Sequence, residues 1–286
     1  MSLTVAVTGA RGYLGGWTCY YLRNFGHTVV ELPGRSTKGW EYAAEHADTV
    51  IHLAWYSSAG NGNKQLQEDC VERTAKLLHT AKHNGTRVVF ASTASVYGNC
   101  HDDPPRTEED RIYPNCSYTI AKAFAEVLVR DVQDWVTFRM GSLMGTGLTR
   151  TRTDLVVNHF AQTAYLGGVI ECQGPENWKP VVHVRDAALI IAASADPGIG
   201  MQGMYNLVSA CPNARTIAVL ANLQTGAEVT YTNSPPGPVR SVRVDNRKLL
   251  AVAEKNNRYT EWRGVPTAIR EFQDRSPTDW DRNTPW

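Results

Sequence analysis

The chain has 286 residues, a formal net charge of +1, and 42% hydrophobic and 20% charged residues. That length suits one large domain or two small ones with ample core, and without a block of like charge or a bilayer-length apolar run neither nucleic acid nor a membrane is the expected partner. A strand is expected within three residues of the N-terminus, so no signal peptide is expected there, and six cysteines (Cys19, Cys70, Cys100, Cys116, Cys172, Cys211) have no CxxC and no regular spacing. They read as reduced thiols of a cytoplasmic protein, with no metal site.

The first element, 3–8, is an apolar strand. It runs into Thr8-Gly9-Ala10-Arg11-Gly12-Tyr13-Leu14-Gly15 and then a helix over 13–25. Glycines in such a turn allow sharp backbone bends and close approach of a ligand. The helix that follows presents free N–H groups and the positive end of its dipole, which suits a diphosphate. Further strands are expected at 28–32, 49–54, 87–91 and 135–139, and helices at 62–84 and 115–131. The helix over 62–84 carries Leu66, Val71, Ala75, Leu78 and Ala81 near helical spacing and ends at Asn84-Gly85, a C-cap pair. Alternation of this kind predicts an α/β fold with a parallel sheet covered by helices on both faces.

The second half is less regular. A Thr/Arg-rich loop opens 146–180, with a helix near 154–166 and a Gly-rich exit. Residues 181–208 return to strand, helix and strand. The tail adds a helix near 214–225, a strand near 228–232, the loop Pro235-Pro236-Gly237-Pro238 and a short helix near 245–254. No internal repeat is visible, and the last ten residues are polar with two tryptophans.

Two short patterns carry chemistry. Tyr118 and Lys122 lie four apart on the helix expected at 115–131, hence on one face. An ammonium nearby favours a phenolate, so such a tyrosine suits general acid–base work on a carbinol or ketone; the alternative is a chance surface pair. The strand beginning at 87 ends in Ser92-Thr93-Ala94-Ser95-Val96-Tyr97-Gly98, small hydroxyl residues at the edge where open sheets bind ligands.

With these motifs the chain resembles the extended short-chain dehydrogenase/reductase family: nucleotide-sugar epimerases, dehydratases and ketoreductases. TGxxGxxG stands at Thr8 to Gly15, the strand-four signature at His52-Leu53-Ala54 and YxxxK at Tyr118 to Lys122. The later R-D-F-x-H-V-x-D pattern appears as Lys179 to Asp186, YN as Tyr205-Asn206, and D-x-x-K-L as Asp245 to Leu249. The resemblance covers nearly the whole chain. It implies a Rossmann-type doubly wound parallel sheet, residues 1–145 plus 181–210, with a smaller mixed α/β substrate lobe, residues 146–180 plus 211–286. It implies a catalytic set of Thr93, Tyr118 and Lys122; Ser92 is the runner-up to Thr93, although its neighbouring phase should turn it the other way. Gly9, Arg11, Gly12, Tyr13, Leu14, Gly15, Leu53, Ala54, Tyr118 and Lys122 fall at cofactor positions. Thr93, Ser142, Arg152, Asn158 and Lys179 fall at substrate positions. Lys179 replaces the usual arginine and loses its bidentate geometry; a solvated lysine is its alternative, as a solvated loop is for Arg150 and Arg152. His183 and Asp186 match as structural residues, and Cys100-His101-Asp102-Asp103 offers too few ligands for a metal.

In the family an acidic residue closing the second strand binds the adenosine ribose. Here that place is Pro33, followed by Gly34-Arg35-Ser36, and Glu31 lies in the other strand register. Arg11, Arg35 and Ser36 suit a 2′-phosphate, so NADP is expected over NAD. The stretch from Arg35 to Asp48 is short and lacks the usual third strand. The positions where dehydratases carry an Asp-Glu pair are Ala94 and Ser95, and the place of the GDP-fucose synthase cysteine is also Ser95. What remains is reduction of a 4-keto nucleotide-diphosphate sugar, or C4 epimerisation with retained NAD(P); a non-enzymatic NADP sensor is the third reading. Relatives imply a homodimer through the helices at 62–84 and 115–131.

Overall fold

The computed structural model describes residues 2–32, 37–56, 63–233, 241–256 and 261–273. Six strands form one parallel sheet: β1 (Thr4–Thr8), β2 (Thr28–Leu32), β3 (Thr49–His52), β4 (Arg87–Thr93), β5 (Trp135–Met140) and, much later in the chain, β9 (Gly203–Leu207). Their order is β2-β1-β3-β4-β5-β9, with Val5 opposite both Val29 and Thr49. Three helices, α1 (Tyr13–Asn24), α2 (Thr37–His46) and α3 (Lys64–Asn84), follow β1, β2 and β3; α4 (Ser117–Val129) follows β4. This is the Rossmann-type doubly wound arrangement expected from the βα alternation.

Strand pleating explains both covered faces. Val5 and Val7 of β1 and Val89 of β4 pack with Leu22, Phe138 and Ile191 on one side. Ala6, Val88 and Phe90, one residue out of phase, pack with Trp40, Leu77, Ala125 and Val129 on the other. All four residues of β3 and all seven of β4 are buried, whereas β2 alternates as an edge strand. The edge follows from the short connection after β2. Among the described residues no strand lies outside β2, and α2 occupies the connection instead. This helix was not expected, although Trp40, Ala43 and Ala44 already mark its buried stripe at i, i+3 and i+4. Asn63 caps α3 through Oδ1, which accepts from the Gln65 amide at 3.0 Å, and Gly85 ends it in the left-handed region at φ +67°.

Between β5 and β9 the chain leaves the sheet for β6 (Ser142–Met144), α5 (Val156–Tyr165), β7 (Ile170–Gln173), β8 (Val181–His183) and α6 (Val184–Ala193). Beyond β9 come α7 (Ala214–Thr225), β10 (Val229–Thr232), α8 (Arg247–Lys255) and α9 (Val265–Arg270). β8 was read as part of a return to strand-helix-strand. It pairs with β6 in a two-stranded sheet rather than with the main one, and β7 pairs with β10. β6 and β7, three and four residues long, are too short to show a period in the sequence. A separate apolar core joins Met144, Phe160, Ile170, Ile217, Ile269 and Phe272. No helix among the described residues is long and apolar enough to cross a membrane. All six cysteines are free. The Pro235 to Pro238 loop and the last ten residues lie outside the described residues.

Candidate active site

The turn after β1 is shaped by what glycine lacks. Gly9 has φ +71°, and a Cβ there would stand 3.0 Å from the Ala54 amide nitrogen; at Gly15 it would stand 2.1 Å from the Gly9 carbonyl oxygen. Leu53 and Ala54, just beyond β3, therefore press directly on the turn. Gly12 is the N-cap of α1 and supplies no side-chain cap. The first-turn amides of a helix have no intrahelical partner, so this end is left open to an anion. Tyr13 and Leu14 are buried in the first turn of α1, while Arg11 stands exposed at its edge.

A hydrogen-bonded line ties the turn to α3. Thr74 donates to the Cys70 carbonyl at 2.7 Å and so accepts from His52 Nε2 at 2.9 Å. That leaves His52 Nδ1 to accept from Thr8 Oγ1 at 2.7 Å, while Thr8 accepts from the Ala54 amide at 3.1 Å. Burial, followed by the nearby Lys122 charge, pushes His52 down to about 3 and keeps it neutral.

The hydroxyls at the end of β4 point apart, as pleating requires. Thr93 Oγ1 accepts from the Ser95 amide at 3.2 Å and caps the short 3₁₀ turn Ala94–Tyr97. Ser92 Oγ instead donates to Glu126 Oε1 at 2.5 Å, deep beneath α4. On α4, half-buried Tyr118 stands one turn before Lys122, which is 3% exposed. Lys122 Nζ donates to the Ala91 carbonyl at 2.6 Å, and lies 3.9 Å from the centre of the Trp55 ring and 4.7 Å from that of Phe90. Burial pushes this lysine down to about 7, against the opposing pull of Cys70 and Glu126.

Sequence reasoning missed three groups here. Glu126, two turns along α4 from Tyr118, forms an ion pair with Arg139 of β5 at 2.8 Å, and both side chains are at most 3% exposed. Arg139 also donates to the Tyr97 hydroxyl at 3.0 Å. Burial pushes the Arg139 guanidinium down, and the hydrogen bonds and charge of Glu126 more than offset that. The available signals were an acid in phase with Lys122 and an arginine inside an apolar strand. The second group is Trp55, next to His52-Leu53-Ala54. The third is Glu271, near the C-terminus, whose Oε2 accepts from the Thr146 amide at 2.7 Å and its hydroxyl at 3.1 Å.

Glu271 belongs to the wall facing the Gly-rich turn. Trp17 Nε1 donates to the Thr146 carbonyl at 3.0 Å, and the Tyr13 hydroxyl donates to the Gly145 carbonyl. Thr149 Oγ1 lies 3.3 Å from the carbonyls of both Arg11 and Gly12. His183, buried, caps α6 by accepting the Arg185 amide through Nδ1 at 3.2 Å, and its Nε2 stands 3.3 Å from Glu271. Asp186 pairs with Arg263. Burial pushes Glu271 up, but the His183 ring, the Thr146 amide and the Arg185 guanidinium outweigh it and hold the carboxyl at about 2.

The expected substrate residues spread around this wall. Ser142 opens β6, half-buried, its amide donating to the Pro180 carbonyl at 2.8 Å. Arg152 pairs with Asp154, its Nε 2.9 Å from Oδ1. Burial pushes the Arg152 guanidinium down, Asp154 more than offsets this, and the phenol of Tyr118 adds to the upward pull, so Arg152 shares the neighbourhood of Tyr118. The Asn158 amide is wholly buried. It accepts from the Gly145 amide at 2.8 Å and donates to the Tyr13 hydroxyl at 3.0 Å and the Arg152 carbonyl at 2.8 Å. Its polar atoms bond within the chain and brace the 145–152 loop. Half-buried Lys179 donates through its backbone to the Pro212 carbonyl at 2.8 Å. Cys100 and His101 serve the strap at 241–244: the Cys100 amide donates to the Ser241 carbonyl, and His101 Nδ1 lies 2.7 Å from Ser241 Oγ. Arg35 and Ser36 lie outside the described residues. Glu31, discounted as a ribose ligand, is paired with Arg23 at 2.5 Å.

Known proteins resemble this chain in sequence and in fold. A UDP-glucose 4-epimerase of Dictyostelium discoideum is 27% identical over 161 residues, 45% of this chain and 46% of that one. A dTDP-4-dehydro-6-deoxyglucose reductase of Escherichia coli is 29% identical over 116 residues, 38% of this chain and 36% of that one. These alignments span less than half the length of either relative. A solved UDP-glucose 4-epimerase of Thermus thermophilus, complexed with NAD, superposes with a TM-score of 0.79 at 21% identity, over 95% of this chain and 99% of that one, a likeness of fold. The family model described as the NAD dependent epimerase/dehydratase family matches residues 5–207, most of the chain and all of the sheet but its first residue. The chain belongs to the NAD dependent epimerase/dehydratase family.

Proposed function

We propose that this protein is an NAD(P)-dependent oxidoreductase of nucleotide-diphosphate sugars, and that its reaction is reduction of a 4-keto sugar. The observation that carries the reading is the β4–α4 corner. Thr93 sits at the sheet's ligand-binding edge, Tyr118 and Lys122 share one face of α4, and Ala94 and Ser95 stand where dehydration would need an acid and a base. The likeness to the E. coli reductase supports it.

The Gly9 and Gly15 contacts and the uncapped start of α1 fit a dinucleotide diphosphate, held by backbone amides over Gly9 to Gly15 with Leu53 and Ala54 opposite. When bound, its nicotinamide supplies the hydride. The chain's own residues do the rest. Thr93 donates a hydrogen bond to the substrate carbonyl oxygen and holds it beside Tyr118. Tyr118 gives that oxygen its proton, and the Lys122 ammonium stabilises the phenolate left behind. Arg152, Ser142 and Lys179 face the nucleotide-sugar, within a lobe of residues 146–180 and 211–286 that closes the cleft. NADP is the favoured cofactor, because Arg11 and Arg35 offer guanidinium groups to a 2′-phosphate where the family's ribose-binding acid is absent. A homodimer through α3 and α4 is supported by Ile120, Phe124 and Val127, an exposed apolar stripe along α4. Phe124→Lys should then shift a dimer to a monomer in light scattering.

The second reading is C4 epimerisation, supported by the likeness to the Dictyostelium epimerase. One experiment separates the two. A panel of UDP- and dTDP-sugars and their 4-keto forms is incubated with NADPH or NADH, and absorbance and products are followed. Net NADPH consumption with a 4-keto sugar is expected. Interconversion of C4 epimers without net cofactor consumption would replace reduction by epimerisation.

A further inference from the structure

Lys122 is enclosed in a way that its place in YxxxK does not require. One side of its ammonium is the Ala91 carbonyl, 2.6 Å away. Two others are aromatic faces, Trp55 at 3.9 Å and Phe90 at 4.7 Å. Trp55 is itself tethered. Its Nε1 donates to Gln67 Oε1 at 2.9 Å, Gln67 Nε2 donates to the Tyr56 carbonyl at 2.9 Å, and Gln67 is 2% exposed. The Tyr56 amide further points at Cys70 Sγ, 3.4 Å away. The segment after β3 is thus pinned to α3 so that an indole face covers a lysine of α4.

We propose that Trp55 is a positioning residue of the proton relay, and that Gln67 locks its ring in place: together with Phe90 and the Ala91 carbonyl it forms a dry box that fixes the Lys122 ammonium against β4. The proposal rests on the reading of Tyr118 and Lys122 as that relay. An aromatic face attracts the cation while excluding water, so the box holds the charge in place yet withholds solvation. Among the described residues, the other titratable groups that act on Lys122 are His52 from β3, held neutral, Cys70 from α3 and Glu126 from α4, with Arg139 of β5 behind Glu126; Tyr118 stands one turn before it on α4. The consequence is a lysine that changes charge near neutrality. Reduction leaves a phenolate on Tyr118 that needs the ammonium, so kcat should fall as pH rises through the Lys122 midpoint.

The test follows the 13Cε resonance of Lys122 with pH, assigned through Lys122→Arg, in the intact protein without substrate. A midpoint near 7 is expected in the wild type. Trp55→Ala admits water and should raise it by about one unit or more, with a matching rise in the alkaline limb of kcat. Trp55→Phe keeps an aromatic face and should restore the wild-type midpoint. Gln67→Leu frees the ring without removing it and should give an intermediate value, which keeps the test decisive if Trp55→Ala does not fold. A wild-type midpoint near the ordinary lysine value, or one unmoved in both Trp55→Ala and Gln67→Leu, overturns the proposal. Undiminished turnover in Tyr118→Phe with the Lys122 midpoint still near 7 would fail the relay reading instead, and with it the catalytic role of the box.

Discussion

The two ends of the candidate site are built on different principles. The end at the β1–α1 turn is made of backbone: glycines, uncapped amides, and carbonyls of Gly145 and Thr146 held from α1. The end at β4 and α4 is made of side chains whose charges sit in a nearly dry interior: Lys122, Glu126 and Arg139. A backbone site depends on shape and on the absence of Cβ atoms. A buried-charge site depends on pairing and protonation, because a charge taken out of water needs its partners. The first should answer to crowding and to loosening of its walls, the second to pH and to loss of any one partner.

The largest test falls on the charged end. Glu126→Ala leaves the buried Arg139 charge without its carboxylate, with only the Tyr97 hydroxyl and the Glu108 carbonyl as acceptors, and should cost about 3–5 kcal/mol of stability in urea unfolding. The paired change Glu126→Leu with Arg139→Met should recover much of that loss. If Glu126→Ala unfolds at the wild-type midpoint, the contrast between the two ends is gone.

Glu271 carries a charge into the backbone end and sharpens the comparison. Its carboxyl is held at about 2, below its ordinary 4.5. A depressed carboxyl contributes stability that is full above the unfolded value and fades as pH falls from about 4.5 to about 2. That contribution is up to about 3 kcal/mol. Glu271→Gln should flatten this part of the acid-stability curve, and an unchanged curve would remove Glu271 from the wall.

Next in size is chemistry. Tyr118→Phe should lower kcat by about 10²-fold, close to about 2.7 kcal/mol, with dinucleotide affinity nearly unchanged. Loss of affinity without loss of kcat would mean that the ends are not separable in this way. The smallest expected effect is Arg35→Asp. It should weaken NADP binding about tenfold, near 1.4 kcal/mol, while NAD binding changes less. Equal weakening of both cofactors in calorimetry would leave the 2′-phosphate without its proposed ligand.

Much of this molecule was legible as sequence because local chemistry encodes it. Apolar runs of strand length alternating with periodic helices gave the main sheet, and Asn84-Gly85 gave the end of α3. Thr8 to Gly15 could be read because a missing Cβ is a property of the residue itself. The phases of Ser92 and Thr93, and of Tyr118 and Lys122, follow from the pleat and the helical turn. The replacement of an acid by Pro33 is likewise visible without coordinates.

Tertiary structure alone decided the rest, since it depends on residues far apart in the chain. The pairing of β8 with β6 arises from two three-residue segments that show no period of their own. The burial of Asn158 depends on Tyr13 and Gly145 meeting it across the loop. Glu271 meets Thr146 across 125 residues of chain. Glu126 and Arg139 become one buried pair only when α4 lies on β5. Trp55 faces Lys122 only because Gln67, on α3, holds the indole there. Sequence fixes what a residue can donate, accept or leave out within its own turn or strand; which distant group it meets, and whether water is excluded there, is set by packing.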